Sequence, residues 1–287
     1  VSTIPVVYTP ETVVPTEKAL LWKISEQGNK KPSYLFGTIH LIPKDKFSLK
    51  QQVTEAVIHS DRVYFEIDMK DMTNLSKQMG MITKAFMSGG TTLKDIMSPE
   101  DYTLVRSRIT GLGLPVAIVE RLKPMFLSTL FSLGEEAPGL NETSMTSVEM
   151  EIYALAKKQG KPTAGLETAE YQMALFDSIP YQEQSKLLVE AIKQQGESKT
   201  LLDDMLKLYF DQDIQGMQSL VVSDQNDSGR YEPILLLNRN RNWVKFIKKA
   251  GHAESRFYAV GAGHLGGPFG VIALLRKEGF RVEAITD

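Results

Sequence analysis

Cysteine is absent from all 287 residues. No disulfide, thiolate-ligated zinc, iron–sulfur cluster or thiol nucleophile can therefore be built. Histidine is scarce, with four in the chain, so imidazole chemistry rests on His40, His59, His252 or His264. Neither sign of charge dominates: 33 Lys and Arg face 35 Asp and Glu, a net charge of −2. That balance excludes a strongly basic chain, and no nucleic-acid partner is expected. No apolar run approaches the ~20 residues of a membrane-crossing helix, so no transmembrane segment is expected. Three catalytic signatures are missing as well: no G-x-S-x-G elbow, no P-loop and no H-E-x-x-H. What remains, 42% hydrophobic and 24% charged residues, is the composition of a globular chain with a sizeable core.

Period and punctuation give an order of elements. Ala19–Ser25 and Ser33–Gly37 are apolar runs around the polar turn Glu26–Pro32, a hairpin signal. Leu49–Ser60 has helical spacing, and Arg62–Asp68 (RVYFEID) reads as a buried strand. From 69 to 254 the pattern is mainly helical. It includes a helix over Ser147–Gln159 capped by Ser147 or Thr146, a short strand at Pro162–Leu166, and a long helix over Glu232–Ala250. The end returns to a strand at Arg256–Val260, a helix over Gly267–Glu278 opened by glycines and Pro268, and a last strand at Arg281–Ile285. The Pro- and Thr-rich head, Val1–Thr16, predicts an extended segment.

The two ends repeat a phrase. Tyr34–Leu41 reads YLFGTIHL and Tyr258–Leu265 reads YAVGAGHL. Each is an apolar strand running into G-x-x-H-L. Composition alone predicts about 0.3 G-x-x-H matches, yet two occur, both at the end of an expected strand. Glycine past a strand permits a sharp turn, and in open α/β sheets ligands bind beyond the strand ends. If the two strands are neighbours, His40 and His264 converge. Neutral imidazoles are common ligands of transition metals. Glu66, flanked by Phe65 and Ile67, is a charge in an apolar strand and is costly to bury unless paired or metal-bound. His40, Glu66 and His264 would form a two-histidine, one-carboxylate set with room for water, which can activate that water and polarise a carbonyl.

Plainer readings stand beside these. His40 alone could cap a loop. Glu66 could face solvent or pair with an arginine. His59 suits the negative end of its helix, and His252 lies in a polar connection. The twelve methionines read chiefly as core filling.

The segments ALLWKIS, SYLFGTIHL, RVYFEID, LKP, GLETAEYQ, RNRNW and VGAGHLGGPFGVIALLRKEGFRV together resemble the TraB/GumN group. That group includes the Tiki metalloproteases and is related to erythromycin esterase-like and ChaN-like proteins. The likeness runs from about Ala19 to Val282. It implies a metal-dependent hydrolase, a peptidase above all, using Mn²⁺ or Co²⁺, with Zn²⁺ also admitted, on a peptide or protein substrate. Carried over residue by residue, it places the two motifs on Gly37 and His40 and on Gly261 and His264. The acidic strand position falls on Glu66. Glu167 and Gln172 come forward from GLETAEYQ, and Arg239, Asn240 and Trp243 from RNRNW. Where relatives have an acidic pair before an A…GK segment, this chain offers Glu149 or Glu151. The resemblance assigns Glu66, Glu167 and Arg239 to catalysis. Either glutamate could be ligand or general base, and Arg239 is an always-charged donor for an oxyanion or a substrate carboxylate. On residues alone, Glu167 could equally act on a helix N-terminus, Gln172 is a helix-surface or packing residue, Arg239 lies on a solvated face and Trp243 is core.

The expected architecture is α/β: two strand–GxxH–helix–strand halves in one mixed sheet, with a large helical insertion between them. Residues 1–18 form an extended segment and 19–287 a single catalytic domain. The head predicts an extracytoplasmic protein, periplasmic or secreted, with its signal peptide removed. A reading from another class also stands: a non-catalytic protein that sequesters a peptide, a metal or haem.

Overall fold

Apolar residues build the opening strand pair: β1 (Leu21–Ser25) lies antiparallel to β2 (Ser33–Thr38), with Leu21 opposite Phe36. The computed structural model describes residues 8–25, 31–111, 113–132, 145–193, 198–222, 230–250 and 253–286. After β2 come the two-residue strand β3 (Ile42–Pro43), helix α1 (Gln51–His59) and β4 (Arg62–Ile67). Helices follow until β5 (Met145–Thr146), which pairs with β3. Then come α2 (Val148–Lys158), β6 (Thr163–Glu167) and α3 (Ala169–Asp177). After further helices the chain closes with α4 (Asn238–Lys249), β7 (Arg256–Gly261), α5 (Val271–Lys277) and β8 (Arg281–Ala284).

Six strands form one mixed sheet in the order β6-β4-β7-β2-β1-β8. The crossover from β2 through α1 to β4 skips one place, and β7, from the far end of the chain, fills it. β7 runs parallel to β2, with Thr38 opposite Gly261, and parallel to β4, with Phe65 opposite Ala259. Both glycine-histidine segments therefore leave neighbouring strands at the same carboxyl edge. The sheet is not simply two halves set side by side. β6, from within the helical middle, extends it beside β4, and β8 pairs antiparallel with β1 instead of with β7.

Side chains alternate between the two faces of the sheet, and both faces are covered along β7. Phe65 packs edge-on to Tyr153 of α2 on one face, while Tyr64 stacks on Tyr258 and meets Phe246 of α4 on the other. Trp22, Phe257 and Tyr258 are almost wholly enclosed. The helical middle has its own apolar cluster, including Leu93, Val105, Ile109, Leu127 and Leu188.

Three local expectations change. Gly37 and Gly261 do not turn the chain: neither has a positive φ, and both lie within strands. They supply room. A Cβ on Gly37 would stand 2.8 Å from Leu265 Cδ1, and one on Gly261 would stand 3.3 Å from Glu66 Oε1. The last helix starts at Val271, not Gly267, because Gly267 adopts φ +76° and Gly270 is the N-cap. In the head, Pro10–Val13 forms one helical turn capped by Thr9, since proline is pre-shaped for the first position of a helix. The head also docks: Val282 N–H donates to Tyr8 Oη at 3.0 Å. Among the described residues no helix is long and apolar enough to cross a membrane.

Candidate functional site

The carboxyl edge of β4, β6 and β7 gathers charge that the strands themselves cannot solvate. Glu66, near the end of β4, accepts the Gly261 N–H at 2.8 Å through Oε1. Its Oε2 accepts from Arg239 Nη2 at 2.5 Å and Gln172 Nε2 at 3.3 Å. Glu167, the last residue of β6, is enclosed by donors: Arg239 Nε at 3.1 and 3.0 Å, Trp243 Nε1 at 2.8 Å and Gln172 Nε2 at 3.0 Å. Arg239 comes from the first turn of α4, and Trp243 lies one turn on, with the guanidinium 4.9 Å above its ring.

His264 follows β7 in a short 3₁₀ turn and is buried. Its Nδ1 stands 2.6 Å from Asn240 Oδ1, and Asn240 Nδ2 donates to the Phe269 carbonyl at 3.0 Å. The carbonyl fixes the amide orientation, so Nδ1 carries the proton and Nε2 keeps its lone pair. Nε2 accepts from Arg239 Nη1 at 3.2 Å and lies 3.9 Å from Glu66 Oε1. His40, after β2, is largely open to solvent. Its Nδ1 meets Glu149 Oε1 at 2.8 Å, and the same oxygen accepts from Thr38 Oγ1 at 2.7 Å.

The environments drive the groups apart. Burial, the largest single influence, opposes the charge on Glu66, but Arg239, His264, His40 and the Gly261 N–H together outweigh it and hold the carboxyl at about 2. Burial presses His264 down to about 3. The hydrogen bond and charge of Glu149 lift His40 to about 9. Burial likewise opposes the charge on Glu149, and His40 and Thr38 overcome it, so its carboxyl sits below the usual range. His40 is near enough to Glu66 for its charge to bear on that carboxylate. The paired motif thus holds one cationic and one neutral imidazole.

Glu66, Gln172, Glu167, Arg239, Asn240, Trp243, Gly261 and His264 form one connected cluster, while His40 belongs to a second with Glu149 and Thr38. The pairing of Glu66 with an arginine, the plainer alternative for a charge in this strand, is present. Gln172 and Arg239 are not surface groups: both point into the cluster. Glu151 turns away and accepts from Thr146 Oγ1 at 2.9 Å. His59 bonds Glu55 O within its own helix at 2.8 Å, and His252 lies outside the described residues. Thr38 carried no sequence signal beyond its place inside the first motif. A cavity of about 230 Å³ opens beside this cluster and not at it; Phe36, Val53 and Tyr209 are among its lining, and Tyr209 Oη donates to the Gly37 carbonyl at 3.1 Å.

Among the described residues no three His, Asp or Glu side chains stand close enough to enclose a metal ion. The guanidinium of Arg239 is the cation that Glu66, Glu167 and the His264 lone pair share. In kind, two donors suit a divalent metal, a neutral imidazole with Nε2 forward and a carboxylate 3.9 Å away; His40, cationic here, would join them on losing its proton.

The sequence profile of the TraB/PrgY/gumN family matches residues 20–284. The chain is 22% identical over 92% of its length to metalloprotease TIKI1 of Danio rerio and to TIKI1 of Homo sapiens, and to the same extent to metalloprotease TIKI2 of Danio rerio. It covers 63%, 61% and 60% of those three proteins respectively, or about three fifths of their length.

Proposed function

The chain belongs to the TraB/PrgY/gumN family, and from that premise we propose that it is a metal-dependent hydrolase cleaving peptide bonds, with its site at the carboxyl edge of β2, β7 and β4. One observation carries the reading: Glu66 Oε1 and His264 Nε2 face each other at 3.9 Å, on strands the chain joins from opposite ends. His40, Glu66 and His264 would hold the ion, Mn²⁺ or Co²⁺ in preference to Zn²⁺. When bound, such an ion supplies a water acidified toward neutral pH and polarises the scissile carbonyl.

The chain's own groups divide the remaining work. Glu66, ionised at neutral pH, keeps a negative charge beside His264. The Gly261 N–H and Arg239 fix the orientation of its two oxygens. Glu167 has its oxygens filled by donors, which suits holding Arg239 in place and not accepting a proton. Arg239, anchored at Nε by Glu167 and bonded through its Nη groups to His264 and Glu66, sets a fixed positive charge beside the site that can favour a developing oxyanion or a substrate carboxylate. Location outside the cytoplasm is part of the proposal; fractionating cells that express the full-length protein tests it.

Purified protein given Mn²⁺ or Co²⁺ is expected to cleave an unstructured peptide, and His40→Ala or His264→Ala to abolish cleavage. Undiminished cleavage in both variants would refute the site. A stoichiometric peptide complex without product on prolonged incubation would favour the sequestering alternative.

A further inference from the structure

Glu149 is buried at 8% exposure in the first turn of α2. A carboxylate withdrawn from water is costly unless partners answer it. Its Oε1 accepts from Thr38 Oγ1 at 2.7 Å and His40 Nδ1 at 2.8 Å, and its Oε2 has no hydrogen-bond partner among the described residues. Both side-chain partners belong to the segment Gly37–His40. The helix is also pinned to that segment through its backbone, since Val148 N–H donates to Ile39 O at 3.2 Å, and Ser147 caps it by accepting the Met150 N–H at 3.1 Å. The geometry therefore spends a buried charge on a motif histidine that is itself open to solvent.

We infer that Glu149 is the positioning residue of His40: it holds Nδ1 from behind, so Nε2 is the ring nitrogen presented to the site, as Asn240 does for His264. This rests on the metal-site reading given above. The two motifs look alike in sequence, yet one imidazole is backed by an anion and the other by a neutral amide. Partners behind a ligating histidine typically contribute 10–100-fold in metal affinity.

The test is a double-mutant cycle read as the Mn²⁺ dissociation constant by chelator competition, with peptide kcat and KM alongside. Glu149→Ala is expected to weaken Mn²⁺ binding by about 10–100-fold and to lower kcat with little change in KM. In a His40→Ala background the same substitution should change Mn²⁺ binding by less than about twofold, because the group it acts through is gone. Equal losses in both backgrounds would mean a purely structural role and overturn the inference. So would wild-type Mn²⁺ affinity in Glu149→Ala when His40→Ala weakens it. If Glu149→Ala does not fold, Glu149→Gln and Glu149→Asp decide. Gln keeps an acceptor at the right reach and should stay close to wild type, while the shorter Asp should not; the reverse order overturns the claim. A His40→Ala protein indistinguishable from wild type in both readouts sinks the proposed site itself, and this inference with it.

Discussion

Arg239 decides the state of its neighbours. Two largely enclosed carboxylates, Glu66 and Glu167, share its guanidinium, at 2.5 and 3.0 Å from Nη2. Removing one partner of a buried ion pair leaves the other uncompensated, which costs about 3–5 kcal/mol. Arg239→Met should therefore lower the unfolding free energy by that order, read from urea denaturation, while cutting peptide turnover by about 10²-fold or more. Arg239→Lys should restore stability better than turnover, since an ammonium cannot span the fork. Gly261→Ala presses a methyl against Glu66 Oε1 at 3.3 Å and replaces no contact in the core. It should reduce activity well before it reduces the melting temperature; a loss of stability with full activity would contradict the geometry. His40 and His264 stood out as candidates because histidine is scarce and the motif repeats, and Glu66 because it is a charge in an apolar strand. Glu149 and Gln172 were not decidable, because their meaning depends on which oxygen or nitrogen lies opposite.

At the scale of elements, caps and close approaches hold the site. α2 carries Glu149 in its first turn, and Ser147 caps it. Ser147→Ala should cost about 1 kcal/mol and show as a lower denaturation midpoint. Gly37 sits where β2 passes the turn after β7, with Leu265 Cδ1 only 2.8 Å from an added Cβ. Gly37→Ala should therefore overpack the junction and destabilise by about 1–3 kcal/mol, and thermal unfolding of the purified variant checks it. Most elements were readable from period and punctuation: the hairpin, α1, and the strands RVYFEI and RFYAVG; the cap of α2 was narrowed to Thr146 or Ser147, and the structure selects Ser147. The last helix was drawn too long because Gly and Pro permit a helix start without requiring one. The head was drawn as wholly extended because its short turn depends on the Thr9 cap.

Across the whole molecule, the metal-free protein should have a stability maximum near neutral pH. His264, held neutral down to about 3, resists a proton that the unfolded chain accepts near 6.5, so stability falls as pH drops below that value. Glu66, held at about 2, adds to the loss as pH falls from the ordinary carboxylate range toward that value. His40, raised to about 9, contributes fully below about 6.5 and loses its contribution as pH rises toward 9. Melting temperatures across pH 3–10 should trace this dome, and a flat profile between pH 4 and 9 would contradict the described pairings.

The sequence by itself determined the classes of chemistry open to this chain: no thiol, four imidazoles, and a repeated strand-end motif with a charge in an apolar strand. It determined most elements as well, because period, caps and glycines act over a few residues. Only the tertiary structure decided that β7 slides between β2 and β4, that Arg239 stands among Glu66, Glu167 and His264, and that Glu149 backs His40. The side-chain contacts among these join residues 25 to 173 positions apart, and no local propensity records which distant strand fills a gap in a sheet.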